Sequence, residues 1–231
     1  MTQEKSYKEP FTLPEGRVIN HSLFVQDIYT DAKGVEGKPT YKVEIAFDPA
    51  QIWPGEGDAL VEGERYLIDR ILDAADEMWG SGTSERNDLV IPILTGDKLA
   101  AKREAKGKAG DAYKGKLVIR ANTMFNLNGE QGPGGVAVYG PDVKPISPAQ
   151  SAEIYQGCFG HAAVSLDTYM ARTPNGDDVP ALTIYLKAFQ KTKDGDRLVS
   201  QTDASGLFQN HAGGNTSSDA APAASGRRAR R

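Results

Sequence analysis

The sequence predicts a mainly β protein with one substantial helix, built as a small barrel or sandwich. Apolar and polar residues alternate in several short segments, most clearly in residues 41–47, whose odd-numbered members are all large and apolar. One long stretch, residues 58–79, has apolar residues at intervals of three and four, the spacing of an amphipathic helix. Gly-rich loops follow most of the strands, whereas a parallel α/β sheet would need a helix between most of them.

The elements of the first third follow directly from these patterns. The first predicted strand spans residues 17–30, which are rich in branched and aromatic side chains. After a Gly-containing loop, the alternating segment 41–47 is the second strand, and it ends at an Asp-Pro pair. The helix 58–79 ends at the Gly-Ser-Gly that follows it, since glycine commonly follows the last turn of a helix.

The rest of the chain alternates strands with loops. The polar stretch 98–106 is helical at most, and the sequence NLNGEQGPGG is too rich in Gly and Asn to be other than a loop. The last two predicted strands are joined by the turn sequence TPNGDD. The four later strands are predicted at residues 89–94, 117–125, 160–170 and 181–191.

The 231 residues suffice for one elaborated domain with a buried core. Residues 1–16 are polar and are expected to form a flexible N-terminal arm. Residues 200–231 are dominated by Ser, Ala, Gly, Asn and Thr, too few of them apolar to offset the entropy of ordering, and end in an Arg-rich sequence. The expected organisation is therefore an arm, one domain over 17–199, and a disordered tail.

Charge is distributed unevenly along the chain. The formal net charge is -4, which by itself argues against a nucleic-acid-binding protein. Residues 48–88 hold eleven acidic and three basic side chains, whereas residues 97–120 hold eight basic and three acidic ones. Screening limits the reach of distant charges, so the basic segment could bind phosphates despite the acidic total. An ordinary basic surface loop explains this segment equally well.

No catalytic, metal or cofactor site is expected. The three histidines, His21, His161 and His211, lack metal-ligand spacing, and the single cysteine, Cys158, is interpreted as a small packed side chain. Phosphate-binding, nucleophile-elbow and zinc-protease motifs are missing from the sequence. The carboxylates of residues 48–88 leave a metal-dependent nuclease as an alternative, although most of them fit the solvated face of the helix.

The strand predicted at residues 181–191 has an unusual outer face. Strict alternation places Leu182, Ile184, Leu186 and Ala188 on the core side. The opposite side then carries two aromatic rings with lysines between and beyond them, namely Tyr185, Lys187, Phe189 and Lys191. Bases of single-stranded nucleic acid stack on such rings while lysines follow the phosphates. Burial of both rings under another element is the competing interpretation.

Two short motifs in the C-terminal half resemble a family of bacteriophage single-stranded-DNA (ssDNA)-binding proteins. They are Ile-Tyr-Gln-Gly-Cys at 154–158 and Gln-Lys-Thr-Lys-Asp-Gly-Asp-Arg at 190–197. The resemblance implies an OB-fold, a five-stranded barrel with elaborations, that holds ssDNA during phage replication and recombination. It also implies that Gly157 permits a close backbone approach or a bend, and that Arg197 faces the DNA groove.

The resulting hypothesis is a non-enzymatic protein that coats ssDNA with little sequence preference, and a phage structural or assembly protein is a further alternative. Expected partners are ssDNA, phage replication or recombination proteins and other copies on the same strand. The expected location is the host cytoplasm, because neither a signal sequence nor a membrane span is evident. The candidate DNA-binding residues are Tyr113, Lys114, Lys116, Arg120, Tyr185, Lys187, Phe189, Lys191 and Arg197.

Overall fold

The computed structural model describes residues 8–30, 34–53, 66–173 and 175–198. The strands in this part are β1 (Phe11–Thr12), β2 (Gly16–Asp27), β3 (Thr40–Phe47), β4 (Ile93–Thr95), β5 (Leu117–Thr123), β6 (Ala137–Tyr139), β7 (Phe159–Arg172) and β8 (Asp178–Lys193). The helices are α1 (Pro49–Ile52), α2 (Leu67–Trp79) and α3 (Gly96–Glu104). No helix in the described ranges is long and apolar enough to cross a membrane.

Five strands pair into a closed ring. β7 pairs with β2, β2 with β3, β3 with β5, β5 with β8, and β8 returns to β7. All of these pairings are antiparallel except that of β5 with β8, which run parallel with Asn122 opposite Tyr185. The three short strands extend the ring, since β1 adds to β7, β4 to β5 and β6 to β8. The arrangement is the predicted mainly β, OB-fold-like barrel with elaborations.

The inner faces of the ring form the main core. The predicted alternation in β3 is confirmed, because Tyr41, Val43, Ile45 and Phe47 are all buried there. Helix α2 adds Leu67, Ile71 and two alanines to the same core. The helix begins at Leu67, after Tyr66 with extended backbone, and ends at Trp79 as predicted. The expected first turns at 58–65 lie outside the described residues.

A second apolar cluster covers part of the outer face of the sheet. Ile19 of β2, Ala46 of β3 and Val118 of β5 pack there against Ala100 of α3 and against Tyr113. The stretch predicted to be helical at most therefore contributes to α3, because Ala100 and Leu99 pack in this cluster.

The N-terminal segment contributes to the domain. Phe11 and Thr12 pair with Val164 and Ala163 of β7, and Leu13 is buried in the main core. Residues 11–13, which were expected to belong to the flexible arm, thus form a strand and a core residue, because Phe11 and Leu13 pack in the main core. Residues 1–7 and the expected tail 200–231 lie outside the described residues.

Candidate nucleic-acid interface

A β-bulge in β8 overturns the strict alternation predicted for this strand. Leu186 is opposite Val164 of β7 and Ala188 is opposite Ala163, so Lys187 is an extra residue without a partner on that strand. The inward set is therefore Leu182, Ile184, Leu186 and then Phe189. Phe189 is 0% exposed, and its predicted place on the open face is wrong. A buried ring cannot stack on a base.

The bulge lies beside a gap in the sheet. On its other side β8 pairs with β5 at Tyr185 and with β6 from Ala188 onward, so the two intervening residues have no strand partner there among the described residues. A groove of about 590 Å³ occupies this gap. Its lining includes Tyr185, Lys187, Phe125, Leu127, Asp167 and Lys8.

The groove combines an aromatic platform with apolar and basic walls. Tyr185 is half-buried and lies opposite Ser165 of β7, while Lys187 is exposed and has no partner among the described residues. Phe125 and Leu127 are 44% and 64% exposed, which is high for large apolar side chains. Exposed apolar and aromatic surface beside a free lysine is the chemistry that holds stacked bases and their phosphates.

The loop 124–136 carries the apolar wall and is held in place by hydrogen bonds. Asn126 Oδ1 accepts the backbone N–H groups of Asn128 and Glu130, at 2.9 and 3.0 Å, and its Nδ2 donates to the Pro133 carbonyl. The Tyr41 hydroxyl donates to the Gly132 carbonyl at 2.7 Å. The segment predicted as a simple Gly/Asn-rich loop is therefore a preorganised wall. Two large apolar side chains on either side of Asn126 were the signal that could have indicated it.

Arg120 lies on β5 outside the lining of the groove. It precedes Asn122, the partner of Tyr185, by two residues on β5, a distance of roughly 7 Å along the strand. Its Nη2 is 2.5 Å from Glu44 Oε1, and Glu44 is itself buried. Half of the Arg120 side chain is exposed beside this ion pair.

The candidates near α3 do not join this groove. Tyr113 is buried under the Arg103 guanidinium, 5.0 Å from its ring centroid, so its predicted stacking role is wrong. Lys114 pairs with Asp111 and Glu104, each at 2.8 Å, and hydrogen bonds to these carboxylates raise its pKa above the usual range. Lys116 pairs with Asp48 at 2.5 Å. Both lysines lie outside the groove lining and are paired with carboxylates on the surface.

Lys191 and Arg197 belong to a cluster at the far end of β8. Lys191 is six residues from Tyr185, roughly 20 Å along an extended strand. It is largely buried, pairs with Asp194 at 2.6 Å and donates to the Glu153 carbonyl at 3.0 Å. The Arg197 guanidinium lies 4.1 Å from the centroid of the Tyr155 ring. Neither residue faces the groove, because both hold residues 194–198 against residues 153–155.

This cluster explains the two sequence motifs structurally. The Tyr155 hydroxyl donates to Asp194 at 2.8 Å, and hydrogen bonds from Lys191 and then Tyr155 lower the pKa of the Asp194 carboxyl. Gly157 has a φ of 116°, and a Cβ there would lie 2.0 Å from the Asp196 carbonyl oxygen. The implied close backbone approach at Gly157 is therefore present, and the motifs lock residues 154–158 to residues 194–198.

The described part of the chain offers little for metal binding or for a reactive cysteine. No group of three or more His, Cys, Asp or Glu residues among the described residues could hold a metal ion. Cys158 is fully buried, and this burial raises the pKa of its thiol, as for a packed side chain.

Comparison with known proteins gives one family and several similar structures. A family model described as the Enterobacter phage Enc34 ssDNA-binding protein matches residues 24–220. The structure of the bacteriophage Enc34 ssDNA-binding protein in complex with ssDNA is similar with a TM-score of 0.51 and 16% identity, over 81% of this chain and 88% of that one. The C-terminally truncated form has the same TM-score and identity, over 81% and 87%. No curated protein sequence matches.

A second phage protein shows the same fold. The crystal structure of gp2.5, an ssDNA-binding protein encoded by bacteriophage T7, is similar with a TM-score of 0.50 and 12% identity. The similarity covers 91% of this chain and 100% of gp2.5. At such identities the likeness concerns the fold, and it confirms the OB-fold-like class predicted from the sequence.

Proposed function

The chain belongs to the family of the Enterobacter phage Enc34 ssDNA-binding protein, and we propose that it binds and coats ssDNA without strong sequence preference. The observation that supports this function best is the groove at the β8 bulge, where Tyr185, Phe125 and Lys187 meet. The family is one of binding proteins rather than enzymes.

Stacking in the groove would contribute directly to the free energy of binding each base. A base laid on the half-buried Tyr185 ring would contact Phe125 and Leu127 from the side. Stacking on an aromatic side chain is worth about 1–3 kcal/mol per base and depends little on base identity. The preorganised loop 124–136 keeps the apolar wall in place, which reduces the entropy lost on binding.

Phosphate contacts would come from cations around the same groove. Lys187 and Lys8 lie in its lining, and Arg120 precedes Asn122, the β5 partner of Tyr185, by two residues. Such contacts attract any sequence equally, because the phosphate backbone is common to all of them. They also explain how an acidic chain can bind DNA, since the cations are local to one site.

We further propose that this binding serves phage DNA replication or recombination in the host cytoplasm. A protein that keeps strands unpaired would pass them to replication or recombination proteins, and several copies would cover one strand. The ssDNA binding of the related phage proteins supports ssDNA binding here, and the replication role is our extension of it.

A titration of labelled oligo-dT by fluorescence anisotropy tests the function. We expect saturable binding, and on the order of three phosphate contacts would give a slope of log K against log salt of about -2. Affinity would then fall roughly tenfold to twentyfold between about 50 and 200 mM salt. With Mg²⁺ present, the strand should stay intact on a sequencing gel. Preference for duplex DNA, strand cleavage, or no binding of oligo-dT would contradict the proposal.

A further inference from the structure

One carboxylate lies inside the groove, next to the stacking platform. Asp167 is the acidic residue among the described residues that line it. In the β7–β8 ladder Asp167 is opposite Thr183 and Ser165 is opposite Tyr185, so Asp167 is a diagonal neighbour of Tyr185 on the same face. Diagonal neighbours in an antiparallel pair are about 7–8 Å apart, within reach of an aromatic side chain or its stacked partner.

The carboxylate is held in one orientation and keeps acceptor capacity. Asp167 Oδ1 accepts the Thr168 backbone N–H at 2.9 Å and lies 3.6 Å from Lys8 Nζ. Both contacts use Oδ1, and the side chain is 34% exposed. Because a carboxylate has about four acceptor sites, the second oxygen can accept a hydrogen bond from a group in the groove.

The bases differ in what their edges offer to such an acceptor. Cytosine and adenine present an exocyclic amino group, which donates to a carboxylate, and guanine also carries an amino donor. Thymine and uracil present a carbonyl oxygen at the position where cytosine has its amino group. Their one N–H lies between two carbonyl oxygens, so a fixed carboxylate beside the ring meets acceptors on both sides of it.

We infer that Asp167 biases the groove toward bases with an exocyclic amino group and against thymine and uracil. Two positions carry this inference. Asp167 is a diagonal neighbour of Tyr185, at the level of Thr183, whereas the exposed Lys187 follows Tyr185 in the other direction along β8. The inference rests on the proposed ssDNA binding. It adds a modest preference for base type to a site that otherwise accepts any sequence.

Oligo(dC) and oligo(dU) of equal length form the sharpest pair of probes. They differ only at the 4-position and N3 of the ring, so sugar, phosphate and ring size are matched. At one fixed salt concentration we expect the protein to bind oligo(dC) at least about fivefold more tightly, the scale of one charge-assisted hydrogen bond. In Asp167→Asn this ratio should fall to about one or invert, because the amide nitrogen can donate to the uracil carbonyl.

Asp177→Asn is the matched control. Asp177 is exposed in the turn between β7 and β8 and does not line the groove. Both substitutions remove one negative charge, which slightly favours phosphate binding in either variant, but only Asp167→Asn should also weaken the hydrogen bond to cytosine and so change the ratio of the two affinities. Equal wild-type affinities, or an unchanged ratio in Asp167→Asn, would overturn the inference. Absence of binding to every oligonucleotide would instead overturn the proposed function on which it rests.

Discussion

Phe189→Ala and Tyr185→Ala, four residues apart on β8, should separate folding from DNA binding. Phe189 is fully buried, and its ring contacts the backbone of β7 so closely that a Cβ on Gly160 would lie 2.4 Å from its Cζ. Truncation of a buried Phe to Ala costs about 3–5 kcal/mol of stability, since both transfer free energy and packing are lost. A domain of ordinary stability has about 5–15 kcal/mol in total.

Tyr185→Ala should have the opposite profile. Tyr185 is only half-buried and lies in the groove, so its truncation should cost little stability. Loss of one stacked base should weaken oligo-dT binding by about 1–3 kcal/mol, or roughly fivefold to 150-fold in Kd. Tyr185→Phe keeps the ring and is the control that should bind almost as the wild type does.

Two measurements on the same preparations decide between these profiles. Urea unfolding, followed by the fluorescence of Trp53 and Trp79, gives the free energy of unfolding, and anisotropy in the absence of urea gives the Kd. Wild-type stability with weakened binding in Phe189→Ala would refute the assignment of that ring to the core. Wild-type binding in Tyr185→Ala would refute the stacking platform.

Two further substitutions test Lys187 as a phosphate contact and Gly157 in the contact between residues 154–158 and residues 194–198. Lys187→Gln should make the slope of log K against log salt shallower by about 0.7, the share of one phosphate contact on a single strand; an unchanged slope would exclude Lys187 as a contact. Gly157→Ala should destabilise the fold by at least about 1–3 kcal/mol in urea unfolding, because of its positive φ and the nearby Asp196 carbonyl; wild-type stability would contradict this reasoning.

The fold class was predictable because it depends on patterns that persist over whole segments. Alternation in residues 41–47 is a property of the chain itself, and β3 follows it. The end of α2 at Trp79 was likewise indicated by the glycines that follow. The sequence did not indicate short elements such as β1 and α3 in the same way, because their positions depend on the surfaces against which they pack. Leu13, next to β1, fills the core, and Ala100 of α3 packs on the outer face of the sheet.

The candidate cations show why a charge count does not locate a site. The basic segment 97–120 was recognised correctly as a concentration of charge. Two of its cations have their partners far away in the chain, however, since Lys116 pairs with Asp48 and Arg120 with Glu44. A pairing across about 70 positions of sequence leaves no local signal. Burial of Tyr113 under Arg103 was equally invisible, because it depends on the packing of α3.

The alternation predicted for β8 is wrong at the position where the groove opens. The wrong prediction and the groove both result from the bulge. One extra residue reverses the faces of all later residues, so Phe189 turns inward to complete the core. The same extra residue projects Lys187 outward, where β5 has ended and β6 has not yet begun. A regular β8 would place the second aromatic ring outside the core and leave Lys187 in an unbroken ladder. The bulge thus stabilises the core by burying Phe189, and it leaves Lys187 free on the outer face.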